Sequence, residues 1–145
     1  IYSTSLPLHS LWTIKVSYDV MTSSNGDELR EKVFELVKLF RSQMMAAFKK
    51  EDDTGEVLLP SPTPIQAVLC PGNEYCILIA NKLKQAGIKA FPIRSPTVPK
   101  GQERIRIIIH SHNTKEEVLF LVNCLLQFLG KGKNSVMNNK IESKL

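Results

Sequence analysis

The chain reads as an α+β domain: a small antiparallel or mixed sheet with its helices largely on one face. Three observations predict it. Apolar residues recur at three- and four-residue steps over 27–50 and again over 118–129, while short apolar runs rich in isoleucine stand at 65–70, 88–93 and 104–109. In order these segments run helix, helix, strand, helix, strand, strand, helix once the apolar stretch before residue 21 is included. Such an order suits a sheet that buries one face beneath helices. With 145 residues, the chain can bury roughly two-thirds of its unfolded surface as one domain.

From Pro7 to Val20 a mixed apolar set predicts a first helix, ended by the polar Thr22-Ser-Ser-Asn-Gly26. From Asp27 to about Lys50, Leu29, Val33, Leu36, Val37, Phe40, Met44 and Phe48 form one helical stripe, with Asp27 and Glu28 at the positive end of the helix dipole. Glu51–Gly55 reads as a loop. Pro60-Ser-Pro-Thr-Pro64 then imposes an extended approach to a strand at Ile65–Cys70. Asn73 is expected to cap a helix that runs to Gln85 and stops at Gly87 in the C′ position. Strands follow at Ile88–Ile93 and Arg104–Ile109. Thr114 with Glu117 forms a capping box, opening a last helix whose buried face is Val118, Leu121, Val122, Leu125, Leu126 and Leu129.

Composition narrows the function classes. The net charge is +5, but lysine and arginine are scattered rather than gathered in a stripe, so no nucleic-acid partner is expected. No apolar run approaches the ~20 residues that span a bilayer, so no membrane partner is expected either. Cys70, Cys76 and Cys124 sit in apolar stretches without ligand spacing, which predicts buried free thiols of a reducing compartment; with His9, His110 and His112 dispersed, no metal site is expected.

The two ends carry expectations of their own. The chain opens on Ile1 rather than methionine, with a strand-like Ile1–Pro7, as the downstream part of a longer polypeptide would. It closes on Ser143-Lys144-Leu145, a tripeptide that addresses proteins to peroxisomes, after a Gly- and Asn-rich lead-in suited to presenting it to an import receptor.

The segment from Arg94 to Arg106 carries the most chemistry. It joins the Pro-punctuated loop Arg94-Ser-Pro-Thr97-Val-Pro-Lys-Gly101 to a strand that bears Arg104 and Arg106 among isoleucines. A guanidinium offers a planar two-donor fork that matches a carboxylate, although Arg106 could equally point to solvent on an amphipathic strand. Taken with Ile65-Gln66 and the helix from Asn73, this segment resembles the carboxy-terminal domain of the 8-amino-7-oxononanoate synthase family, pyridoxal-phosphate (PLP) dependent α-oxoamine synthases of fold type I. Ile1-Tyr-Ser-Thr-Ser-Leu-Pro7 is similar to the family's segment just after its Schiff-base lysine, so the likeness runs from residue 1 to about 129.

The resemblance implies an acyltransferase, usually a homodimer, that takes acyl-CoA and amino-acid substrates and condenses pimeloyl-CoA with alanine in biotin synthesis. By position it implies that Arg106 pairs with the amino-acid carboxylate, that Thr97 and Arg94 line the substrate site, and that Ser3 and Thr4 reach the cofactor phosphate. Arg104, two residues from Arg106, ranks below it. Residues 1–26 then form a connecting segment and helix from the large PLP domain, 27–129 the carboxy-terminal small domain, and 130–145 a tail with the targeting signal.

Leu8 stands where the family commonly has a second proline, and no segment matches the family's lysine, ring-stacking histidine or ring-nitrogen aspartate. No catalytic residue is therefore expected in this segment, which alone should be inactive. Two alternatives stay open: a sister enzyme of the glycine C-acetyltransferase or 5-aminolevulinate synthase type, and a truncated, non-catalytic binding module.

Overall fold

A computed structural model describes residues 5–48 and 57–130. The loop expected at Glu51–Gly55 lies outside them. Four helices and three strands follow the expected order: α1 (Leu8–Met21), α2 (Ser24–Phe48), β1 (Ile65–Leu69), α3 (Asn73–Gln85), β2 (Phe91–Ile93), β3 (Arg104–Ile108) and α4 (Lys115–Phe128). The sheet is antiparallel throughout, in the order β1-β3-β2.

The central strand β3 alternates strictly. Ile105 and Ile107 are buried against the helices, whereas Arg104, Arg106 and Ile108 point to the opposite face. Its neighbours keep the same phase. Gln66 and Val68 of β1 go inward, while Ile65, Ala67 and Leu69 stay exposed or half-buried. One continuous core gathers Leu36, Val37, Phe40 and Met44 from α2, Cys76, Ile79 and Leu83 from α3, and Val118, Leu121, Val122 and Leu125 from α4 over that inner face. The stripe expected on α2 holds through its middle, but Leu29 stays exposed near the α1 end.

Gln66 is the one buried polar side chain of the strands, and it is fully satisfied. Its amide oxygen accepts from Arg41 Nη1 at 2.8 Å and its amide nitrogen donates to the Thr63 carbonyl at 2.6 Å; Arg41 also donates to the Leu59 carbonyl at 3.1 Å. The Pro-rich approach to β1 is thereby fastened to α2.

Several boundaries differ from the sequence expectation for physical reasons. The break between α1 and α2 is only Thr22-Ser23. The Ser23 hydroxyl accepts from the Gly26 N–H at 3.2 Å and so caps α2, drawing Ser24–Gly26 into the helix. Asn73 is not a cap but the first residue of α3, and Gly72 holds the N-cap position with φ 104°. β2 is half its expected length. After α3 the Gly87 and Ile88 N–H groups return to the Lys84 and Leu83 carbonyls, a Schellman closure that keeps Ile88 out of the ladder, and Pro92 is tolerated because β2 is an edge strand. At α4 the capping box forms as expected: Glu117 N–H to Thr114 Oγ1, and Thr114 N–H to the Glu117 carboxylate.

Helix α1 stands apart. None of its residues is buried; Trp12 is 66% exposed, and Leu8, Leu11, Ile14, Val16 and Tyr18 are exposed around it. Among the described elements it packs only on α2.

All three cysteines are buried free thiols. Burial, with the neighbouring Cys76 adding to it, pushes the Cys70 thiol up to about 12, and burial also raises Cys76 and Cys124.

At Gly26 the first turn of α2 lies against the end of α1. A Cβ there would meet the Val20 and Met21 carbonyl oxygens at 2.5 and 2.7 Å, and neither backbone atom can swing away. Gly26→Ala should therefore cost about 1–3 kcal/mol, read as a lower urea midpoint with an unchanged m-value; an unchanged midpoint would mean that α1 is free to move off α2.

Candidate functional site

The face of the sheet turned away from the helices collects the positive charge. Along it run three cross-strand rows: Ile65 beside Ile108, then Ala67, Arg106 and Phe91, then Leu69, Arg104 and Ile93. Arg106 occupies the centre of the middle row. Its guanidinium lies over the Phe91 ring, 5.4 Å from the centroid, and among the described residues no carboxylate forms an ion pair with it. Arg104 shares the face, as strand alternation requires, but its Nε donates to the Gln102 carbonyl at 3.0 Å. Arg106 is thus the freer of the two, a two-donor fork presented on a rigid strand to whatever covers this face.

Arg94 and Thr97 belong to the loop that leaves β2 beside the Arg104 row, one two-residue step along the strands, about 7 Å, from the Arg106 row. Both are exposed, and the Ser95–Pro96 peptide between them is cis. The loop carries two anchors absent from the sequence expectation. Asn73 Oδ1 accepts from the Ser95 N–H at 3.2 Å. Glu103, only 2% exposed, accepts through one carboxylate oxygen from the Gly72 and Gly101 N–H groups, each at 2.9 Å. Gly101, at φ 85°, turns its N–H to this carboxylate from a backbone region that L side chains rarely adopt. Both ends of the loop are therefore tied to the start of α3. Backbone N–H groups, that of Gly72 first, then Glu103's own and that of Gly101, hold the Glu103 carboxyl below the ordinary carboxylate range.

Arg106 lies on the open face, as the period of two requires, and Glu103 was missed because an acid beside a loop looks like surface. Its signal was positional: the glycines at 72 and 101 offer backbone N–H groups that need an acceptor.

Ser3 and Thr4 lie outside the described residues, as do Ser143, Lys144 and Leu145. No described lysine is placed to hold an aldehyde cofactor as an imine. Lys15 pairs with Asp19, Lys82 and Lys89 lie over the Phe128 and Phe91 rings, and the others are exposed. What the described residues present on the open sheet face is the pair of guanidiniums of Arg104 and Arg106. No group of metal-binding side chains occurs among them, nor is any described helix long and apolar enough to cross a membrane.

Comparison with known proteins gives relatives but no matching family model. The chain is 30% identical over 127 residues to 8-amino-7-oxononanoate synthase of Polaromonas naphthalenivorans, an alignment that takes in 88% of this chain and 31% of that protein. It is 29% identical over 143 residues to 8-amino-7-oxononanoate synthase of Vibrio atlanticus, covering 99% and 33%. The chain thus spans about a third of the length of the curated relatives it matches. Among solved structures, a serine palmitoyltransferase of S. paucimobilis with a bound PLP–myriocin aldimine superposes with a TM-score of 0.71 at 19% identity, over 88% of this chain and 30% of that one. 8-Amino-7-oxononanoate synthase of Francisella tularensis gives 0.65 at 19% identity, over 90% and 35%. At these identities the structural likeness is one of fold.

Since its folded carboxyl titrates lower than its unfolded one, Glu103 stabilises the fold above the unfolded value near 4.5 and ceases to do so as pH falls through the lowered value. Glu103→Gln should unfold at a lower temperature than wild type at pH 7, and the gap should narrow at pH 3. A constant gap across that range would assign the effect to packing rather than charge.

Proposed function

We propose, from the premise that this chain is a relative of the 8-amino-7-oxononanoate synthases with the fold of that family's carboxy-terminal domain, that it is the carboxy-terminal portion of a PLP-dependent acyltransferase joining pimeloyl-CoA to L-alanine with loss of carbon dioxide and CoA. The observation that carries the proposal is Arg106: a guanidinium without an acidic partner among the described residues, at the centre of a sheet face that no described helix covers. On this view the face closes over the substrate, and residues 1–26 connect 27–129 to the large domain.

Arg106 takes the carboxylate of the amino acid through two parallel N–H donors and fixes which bond to its α-carbon stands ready to break. Thr97 and Arg94 close the side of the site from a loop held by Glu103 and Asn73, so their placement needs little reordering on binding. PLP, when bound, supplies the electron sink for the carbanion; it belongs to the large domain, with Ser3 and Thr4 reaching its phosphate in a homodimer. Ser143-Lys144-Leu145 directs the protein to peroxisomes through the import receptor.

Sequence favours this branch over a glycine C-acetyltransferase or 5-aminolevulinate synthase type, because both relatives quoted above carry the oxononanoate name. The second reading, a binding module without catalysis, draws on the lack of any described lysine fit for an imine.

An antibody against this segment should capture from its source cells a polypeptide about three times the 16.3 kDa of this chain; a product of 16.3 kDa would favour the binding module. In the holoenzyme, Arg106→Ala should lower kcat/KM for alanine by about 2–5 kcal/mol of transition-state binding, and Arg106→Lys should restore only part of it. Unchanged kinetics in Arg106→Ala would remove Arg106 from the site. A fluorescent protein carrying residues 130–145 at its carboxy terminus should collect in peroxisomes and lose that location when Leu145 is deleted; diffuse fluorescence from the intact fusion would refute the targeting role.

A further inference from the structure

Two arginines stand on the open face, and they are held in different ways. Arg104 lies opposite Ile93 in the β2–β3 ladder, and its Nε is taken up by the Gln102 carbonyl at 3.0 Å. Arg106 lies opposite Phe91, with Ala67 on its other flank, and among the described residues its guanidinium makes neither a hydrogen bond nor an ion pair. What holds it is the Phe91 ring, whose centroid is 5.4 Å from the guanidinium carbon. Directly opposed side chains of an antiparallel pair stand about 4.5–5.5 Å apart at Cβ, so the register itself delivers the ring to the guanidinium.

The two anchors differ in what they leave for a ligand. A carbonyl takes an N–H donor away, as it does at Arg104. A ring attracts the charge itself and leaves every N–H donor of Arg106 unused. The Lys89 ammonium stands 5.7 Å from the same centroid, so the ring gathers positive charge as well as covering apolar surface. Arginine is also among the side chains that lose most rotamer freedom on being fixed. Over the ring, part of that loss is taken before any ligand arrives.

We infer that Phe91 is the positioning residue for Arg106: it holds the fork over β2 with its donors free, and so sets how tightly a carboxylate is gripped while acting only through Arg106. The inference deepens the proposed function and rests on it for the identity of that carboxylate as the one on the amino-acid substrate. Because the attraction is to the negative face of the ring, its strength follows the electron density of the aromatic and not only its size, a dependence that packing lacks.

The test is the dissociation constant for L-alanine in the holoenzyme, measured by calorimetry with no acyl donor present, across variants at position 91. Phe91→Leu, which removes the ring and keeps an apolar side chain, should weaken alanine about two- to fivefold, the span of one exposed cation–π contact. Phe91→Tyr should bind as wild type does. Phenylalanines of increasing fluorine content in place of Phe91 keep nearly the same shape while draining the negative face, and affinity should fall step by step along that series at an unchanged melting temperature. In an Arg106→Ala background, Phe91→Leu should change nothing further. Equal affinities along the fluorinated series, or a Phe91→Leu loss that persists in Arg106→Ala, overturns the inference and leaves Phe91 a packing residue. The parent proposal fails separately. If Arg106→Ala binds alanine as wild type does, Arg106 does not hold the carboxylate and the inference falls with it; a weakened Arg106→Ala beside an unaltered Phe91→Leu removes Phe91 alone.

Discussion

The alternation of Arg104-Ile-Arg-Ile-Ile along the central strand is the constraint on which the other elements rest. Because strand side chains repeat every two residues, one strand both closes the core, through Ile105 and Ile107, and presents the guanidinium of Arg106. Both neighbours are registered against it, so a slip by one residue would bury two arginines under the helices and expose the isoleucines. The desolvation cost of that alternative is far greater than that of any loop rearrangement, which fixes the sheet and with it the orientation of the candidate site.

Polar side chains then position what the strand leaves undetermined. On the inner side Arg41 and Gln66 bind the Pro-rich approach to β1 onto α2. At the strand ends Glu103 and Asn73 bind the loop of Arg94 and Thr97 to the start of α3. Each device consists of one or two side chains satisfying backbone groups that would otherwise lack partners, so loops that carry recognition residues stay ordered without regular structure of their own. The cations of the open face, by contrast, lack acidic partners among the described residues, and that asymmetry separates the structural polar groups from those available to a ligand.

Where local physics was self-contained, the elements could be read from the chain alone. The capping box of Thr114 and Glu117, the Gly87 terminus and the stripe of α4 depend on neighbours within a few residues, and all three hold. Asn73 misled because its usual capping role was overridden by a partner 22 residues away, Ser95, while Gly72 took the cap position. Ser23 looked like an ordinary loop residue because its capping bond goes to a glycine rather than to a residue of the apolar stripe. The paired cations on Phe91 could not be read at all: Lys89 and Arg106 are distant in the chain, and only the β2–β3 register brings them to one ring. For the site, the strand face of Arg106 was legible from period two, whereas its surroundings are long-range.

The three buried thiols have a practical consequence. Alkylating and oxidising reagents attack the thiolate, and with Cys70 raised to about 12 by a dry environment beside β3 almost none of that species exists in the folded chain. Modification must therefore wait for the sheet to part from its helices. Cys70 on the strand side, Cys76 on α3 and Cys124 on α4 become three clocks set into one core: equal labelling rates would signify a single cooperative opening, and unequal rates would rank the order in which these layers come apart.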